Sequence, residues 1–440
     1  MTPTPDIALG WMRELGSPAE LRAEADTGKR PDERPGVNIH IHLPPNFSAF
    51  ESVSQAVGMA AEQGVRVLGA SNYYDYRVYA TFAREAEARG VVPLFGLEVI
   101  STEPELAERG VRVNDPNNPG RMYICGKGIT GFAPRFDPRA AELVGQIRGN
   151  DRERMAEMVA KLAAVFADAG HDAGLDEDAV LDAVVTRHAV PHDAVILQER
   201  HVAQAFQEAL WERVGEGERA AALNDILPGG FDGDTSDPVA VQGRIRSALM
   251  KSGGPCFVPE TFLDTPRAHE LILALGGIPC YPALADGAGE VCPFEQDPES
   301  LAGELRGRGI HAAELIPVRN EPDALERYAR AFRDAGLIVV AGTEHNTRKL
   351  LPIEPACAGG KPVPEPLKDI FYEGACVVTA HQYLRTHGET GYVTPAGEPN
   401  PDYDGDEDRI GKLAALGRAI LKRYFDAYPA RRPIGEEPGW

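Results

Sequence analysis

Short apolar runs rich in valine and isoleucine alternate with helical patterns along the first third of the chain. Residues 37–43, VNIHIHL, alternate apolar and polar positions and predict a strand, and residues 49–64 follow at helical spacing and stop at Gly64, a C-terminal cap. The pattern recurs in strand 65–72 (VRVLGASN), helix 79–90, strand 91–100 (VVPLFGLEVI) and a fourth strand at 121–129 (RMYICGKGI). A strand–helix repeat of roughly 30 residues predicts a parallel sheet or barrel.

The repeat breaks between Pro134 and Pro259, where four segments read as helices: 140–149, 153–170, 176–188 and 197–214. It resumes with helix 266–277 and strand 278–284 (IPCYPAL), helix 298–309 and strand 311–318 (HAAELIPV), and helix 322–336 and strand 337–346 (LIVVAGTEHN), giving seven strands in all. Residues 367–384 and 410–425 are helical, and the acidic stretch between them (395–409) lacks the glycine placement and closing glutamate of a calcium loop. The expected fold is a distorted (βα)7 TIM-like α/β barrel. Residues 1–134 and 260–350 would form its two halves, 135–259 an inserted helical subdomain over its mouth, and 351–440 a helical extension.

Composition narrows the function. Of 440 residues, 67 are acidic and 45 are Lys or Arg, a net charge of −22 that repels phosphate backbones and anionic lipid. Nucleic acid and membrane are therefore not expected partners; a small-molecule substrate is. Six cysteines form no CxxC pair, which excludes a zinc ribbon. With no secretory signal and no apolar run of about 18 residues, a cytoplasmic protein with reduced thiols is the expectation. Oligomeric state is not legible. No GxGxxG after a strand, Walker loop or GxSxG elbow appears.

In a βα barrel the active site gathers at the C-terminal ends of the strands. Those ends carry His40 and His42, then Ser71, Asn72 and Tyr73, then Glu98, Tyr281, Glu314, and finally Glu344 and His345. The strand period of two puts His40 and His42 on one face, roughly 6–7 Å apart at Cα. His40, His42, Glu98, Glu344 and His345 make a mixed imidazole–carboxylate set suited to zinc, manganese or iron. Alone, an HxH is more often a pair of hydrogen-bonded core histidines; a glutamate at one strand exit and Glu-His at another favour a site.

These residues resemble the PHP (polymerase and histidinol phosphatase) superfamily. His40-x-His42 looks like its opening motif, LFGLEVI with Glu98 like its Gly-x-Glu motif, and AGTEHN like its closing Gly-Ser-Asp-x-His motif. The likeness runs over 36–135 and 265–350. It implies a distorted seven-stranded barrel with a metal cluster at the strand ends. The chain departs from the pattern at Asn72-Tyr73, where the family has Asp-His, at Tyr281-Pro282, where it has His-Pro, and at Glu344-His345-Asn346. One or two divalent cations are therefore expected, with Asn72, Tyr73 and Tyr281 lining the freed space around a substrate. The related amidohydrolases are the nearest alternative family.

Outside the motifs, Lys251 is a candidate catalytic or anion-binding lysine and Glu314 a candidate catalytic carboxylate. Arg319, just past a strand, is placed to clamp a substrate anion. His201, His381, His387 and Glu389 have no assigned role. The expected activity is metal-dependent hydrolysis of a small polar, anionic metabolite at a phosphoester or C–N bond. The alternatives are a degenerate barrel that only binds a ligand or partner, and a metal-assisted lyase or isomerase.

Overall fold

The computed structural model describes residues 7–28, 34–347 and 349–429. These divide into two compact units, one made of the described residues before 45 with those of 48–144 and from 263 on, and the other of 45–47 and 145–262.

The first unit is an α/β barrel. Its strands are β1 (Gly36–Ile41), β2 (Val65–Ala70), β3 (Val92–Thr102), β4 (Arg121–Lys127), a two-residue β5 (Leu263–Asp264), β6 (Ile278–Ala283), β7 (Ala312–Leu315) and β8 (Ile338–Ala341). They pair in the order β1-β2-β3-β4-β6-β7-β8, with β5 attached to β3 off this path. Beyond β8 the chain bonds back to β1: Glu344 N donates to His40 O at 2.8 Å and His42 N to Glu344 O at 2.9 Å, which brings the seven-stranded path almost to closure.

All seven expected strands form, but they are not all parallel. β4 runs antiparallel to both β3 and β6. The reason is its connection. Residues 103–120, with the five-residue helix Pro104–Glu108, do not cross the sheet but fold back locally, so that Arg121 pairs with Thr102 and β3 and β4 run on as a long hairpin.

Local signals fix the outer helices. Ser52 Oγ caps helix Val53–Glu62 by accepting from Gln55 N at 3.1 Å, and Gly90, at φ 67°, ends helix Val78–Arg89 in the left-handed region. Helix Glu365–Thr386 packs against the barrel so closely that a Cβ on Gly374 would stand 2.1 Å from Val339 O. The last helix, Asp406–Ala427, meets it at Gly417, where a Cβ would stand 2.0 Å from Cys376 O. Glycine is obligatory at both crossings on steric grounds.

The second unit is helical. Helices Glu177–His188, Glu199–Arg213, Arg219–Ile226 and Pro238–Ile245, with the later part of helix Pro138–Asp168, enclose a core that includes Met158, Leu162, Phe166, Phe206 and Leu223. No helix among the described residues is long and apolar enough to cross a membrane.

Candidate metal centre

β1 aims every second side chain into the barrel, and Asn38, His40 and His42 share that face. All three are buried without exposure. His40 Nε2 and His42 Nε2 lie 3.2 Å apart, and Glu98 Oε2, from β3, lies 3.0 Å from His42 Nε2 and 3.7 Å from His40 Nε2. Glu98 Oε2 accepts no well-directed hydrogen bond among the described residues, although it is buried. Left so, it would cost about 1–3 kcal/mol or more for a charged group.

The triangle of donor atoms fits a cation. Its circumradius is about 1.9 Å, which matches the usual zinc–nitrogen and zinc–oxygen range of roughly 2.0–2.1 Å, so His40, His42 and Glu98 would hold such an ion together. Two imidazoles and one carboxylate leave the remaining coordination positions open, as catalytic sites require.

The neighbouring groups set the protonation of these three side chains. Burial pushes the His42 pKa down against the pull of Glu98, which favours the neutral ring. Burial would raise the Glu98 pKa, but His42 and His40 hold it below the ordinary value. His40 Nδ1 lies 2.8 Å from Glu314 Oε2. With Glu314 ionised, that contact places the ring proton on Nδ1 and leaves the Nε2 lone pair for a cation. Glu314 is ionised because, although burial opposes the charge, His40 and Lys127 bring its pKa to about 2. Tyr73 stacks on the His42 ring with centroids 5.1 Å apart.

Several expected site residues have other partners. Glu314 faces His40 and Lys127 from inside the barrel and is fully buried, so it orients the His40 ring where a reacting carboxylate was expected. Asn72 braces the chain after His42: its Oδ1 accepts from Leu43 N at 2.8 Å and its Nδ2 donates to Leu43 O at 3.2 Å. That leaves little of the amide for a substrate. Tyr281 points out of the barrel because the inward position on β6 is Cys280; its hydroxyl donates to Glu295 Oε1 at 2.8 Å.

The exit of β8 is also corrected. Among the described residues, the donor groups within 4.8 Å of one another are His40–His42–Glu98 and His40–Cys125–Glu314, and neither includes Glu344 or His345. The Glu344 carboxylate is held by the Arg319 guanidinium, with Nη1 to Oε1 at 3.0 Å, and by Asn346 Nδ2 at 2.7 Å. Arg319 therefore clamps a carboxylate of its own chain. His345 uses both ring nitrogens, one with Thr343 Oγ1 at 2.7 Å and one with Leu351 O at 2.8 Å. Glu344 and His345 both have positive φ, 58° and 53°, and the hydrogen bonds to β1 hold this sparsely populated turn.

Lys251 belongs to the helical unit, where its ammonium pairs with Glu199 Oε2 at 2.6 Å. The remaining unassigned groups have structural partners. His201 faces Pro45 O at 3.3 Å. His381 accepts from Tyr392 N at 2.9 Å and bonds Gly276 O at 2.8 Å. His387 bonds Tyr383 O, and Glu389 pairs with Arg22.

Sequence reasoning missed Lys127. A search of parallel strand exits overlooks it, because β4 is antiparallel and delivers its last residue to the barrel interior from the opposite direction. The signal available was a lysine in an otherwise apolar strand, MYICGK. Burial works against its charge, but the Glu314 carboxylate keeps it firmly protonated.

No protein-family model and no curated protein matches the sequence. Among solved structures, the chain is similar to a protein from Bifidobacterium adolescentis assigned as a metal-dependent phosphoesterase, at 13% identity and a TM-score of 0.48, over 78% of this chain and 96% of that one. It is also similar to an amidohydrolase from Chromobacterium violaceum, solved with sulfate and without metal, at 17% identity and a TM-score of 0.47, over 76% and 96%. Both scores lie below 0.5, and the fold described above stands on this chain's own strand order and hydrogen bonds.

Proposed function

We propose that the barrel is a metal-dependent hydrolase of a small polar metabolite, with one divalent cation (zinc, manganese or iron) held by His40, His42 and Glu98. One observation carries the reading: three buried donor atoms from two strands converge on a point at ligand distance, and the carboxylate oxygen among them has no other well-directed partner. When bound, a divalent cation supplies Lewis acidity for attack on a phosphoester or C–N bond.

The chain's own groups do the rest. Glu314 fixes the His40 tautomer, Asn72 fixes the course of the chain beyond His42, and Tyr73 limits the tilt of the His42 ring. Arg319 recognises an anionic substrate by exchanging Glu344 for it, which makes the anion preference a competition within the site. On this reading the chain is a divergent PHP-like protein that keeps the HxH and Gly-x-Glu motifs and replaces the other ligand positions.

The test is a hydrolase screen with phosphomonoesters, cyclic amides and N-acyl substrates. It compares metal-loaded protein, chelated protein and the Glu98→Gln variant. Turnover that is lost on chelation, restored by zinc, manganese or iron, and depressed in the variant supports the reading. Turnover indifferent to chelation and to Glu98 contradicts it.

A further inference from the structure

Beside the histidine–carboxylate triad lies a second, fully interior cation position, and a side chain fills it. Lys127 is 1% exposed, and its Nζ lies 2.9 Å from Glu314 Oε2, 3.2 Å from Ser71 Oγ and 3.4 Å from Ile39 O. Glu314 Oε2 is the same atom that faces His40 Nδ1 at 2.8 Å. Cys125, directly across from Glu98 in the β3–β4 register, has its donor atom within 4.8 Å of those of His40 and Glu314. Cys280 faces Cys125 across β4 and β6, and both thiols are free, buried and within the field of the Lys127 charge.

A carboxylate and one or two thiols are donors that hold a borderline or soft divalent ion. Here the Lys127 ammonium is seated among them. We propose that Lys127 is a built-in substitute for a second metal ion: it occupies the cation position next to the His40–His42–Glu98 triad and restricts the barrel to one divalent ion. The proposal rests on the reading of that triad as a metal site, and it fixes the number of ions where the ligand types alone allow one or two.

Electrostatics give the reason. With Glu344 paired with Arg319, Glu98 and Glu314 are the carboxylates that face His42 and Lys127 here. One divalent ion plus one ammonium already exceeds their charge, and a second divalent ion beside the ammonium would face repulsion at low dielectric. Removing the ammonium reverses the balance. Glu314 then lacks its adjacent counter-ion, space opens between it and Cys125, and a thiol-binding divalent ion replaces the ammonium charge for charge as Cys125 gives up its proton to solvent, a divalent ion plus a thiolate carrying the same net single positive charge.

The experiment uses the full chain, stripped of metal and titrated with cadmium. Bound ions are counted by elemental analysis after desalting, and the thiolate-to-cadmium charge-transfer absorbance is followed in parallel. The wild type is expected to bind one ion without that band. Lys127→Ala, and Lys127→Ser as a second small replacement, are expected to bind two ions with the band. Adding Cys125→Ser is expected to remove the band and the second ion together. A variant that folds only with cadmium also supports the proposal. Two ions in the wild type, or one ion and no band in a folded Lys127 variant, overturns it while leaving the triad intact. A wild type that binds none overturns the metal-centre reading itself.

Discussion

Glu314→Gln probes the barrel's interior most sharply. The glutamate is fully buried between two partners, Lys127 Nζ at 2.9 Å and His40 Nδ1 at 2.8 Å. Glutamine keeps a carbonyl oxygen for His40 but removes the charge, leaving Lys127 with Ser71 Oγ and Ile39 O at 3.2 and 3.4 Å. Stranding one member of a buried pair costs about 3–5 kcal/mol. Metal affinity should fall on the order of 10–100-fold, the usual effect of losing the carboxylate behind a ligating histidine. In the double variant with Lys127→Met no charge is stranded, so the two losses should fail to add by about 2 kcal/mol or more. Native-state hydrogen exchange of the β1, β4 and β7 amides is the suitable assay, because two units need not unfold in one step. A single-variant cost under about 1 kcal/mol, with additive losses in the double, would refute a coupled ion pair of this strength.

Three further outcomes are expected. His42→Ala should abolish stoichiometric metal binding in equilibrium dialysis, while His40→Ala should also lower stability by calorimetry, because of the two histidines His40 is the one that partners Glu314; equal stability losses would contradict that division. Asn72→Ala removes two hydrogen bonds to Leu43 and should cost about 1–3 kcal/mol, with weaker metal binding but an unchanged stoichiometry. Burial lifts the Glu295 pKa from the ordinary 4.5 to about 7 despite its hydrogen bonds from Tyr281, Leu284 and Ala285. The folded chain therefore holds the extra proton between those values, and stability should fall as pH rises through that window, by about 3 kcal/mol at most. Glu295→Gln should flatten that slope in urea titrations run at pH 4.5, 6 and 7.5.

The strands were legible because their apolar runs are short and bounded by glycine-capped helices, and His40, His42 and Glu98 were legible because strand exits are where a βα barrel gathers polar groups. What the pattern could not give was strand direction. β4 reads like its neighbours, yet the chain before it folds back as a hairpin on β3 and turns it antiparallel, which hid Lys127. Parity misled at β6, where Tyr281 looked like a site residue and the inward position belongs to Cys280. At the β8 exit, residue type suggested ligands. The partners that occupy Glu344 and His345 are Arg319 and Asn346, and Thr343 and Leu351, and a hydrogen bond to a backbone oxygen such as that of Leu351 leaves no trace in a linear pattern.

The central claim, a single cation held by His40, His42 and Glu98, is tested most directly by anomalous scattering at the metal edge from crystals of metal-loaded protein. The account predicts one peak at the barrel interior, roughly 2.0–2.1 Å from His40 Nε2, His42 Nε2 and Glu98 Oε2. No peak between those three atoms in loaded, folded protein, or a peak at Glu344 and His345 in its place, would contradict it.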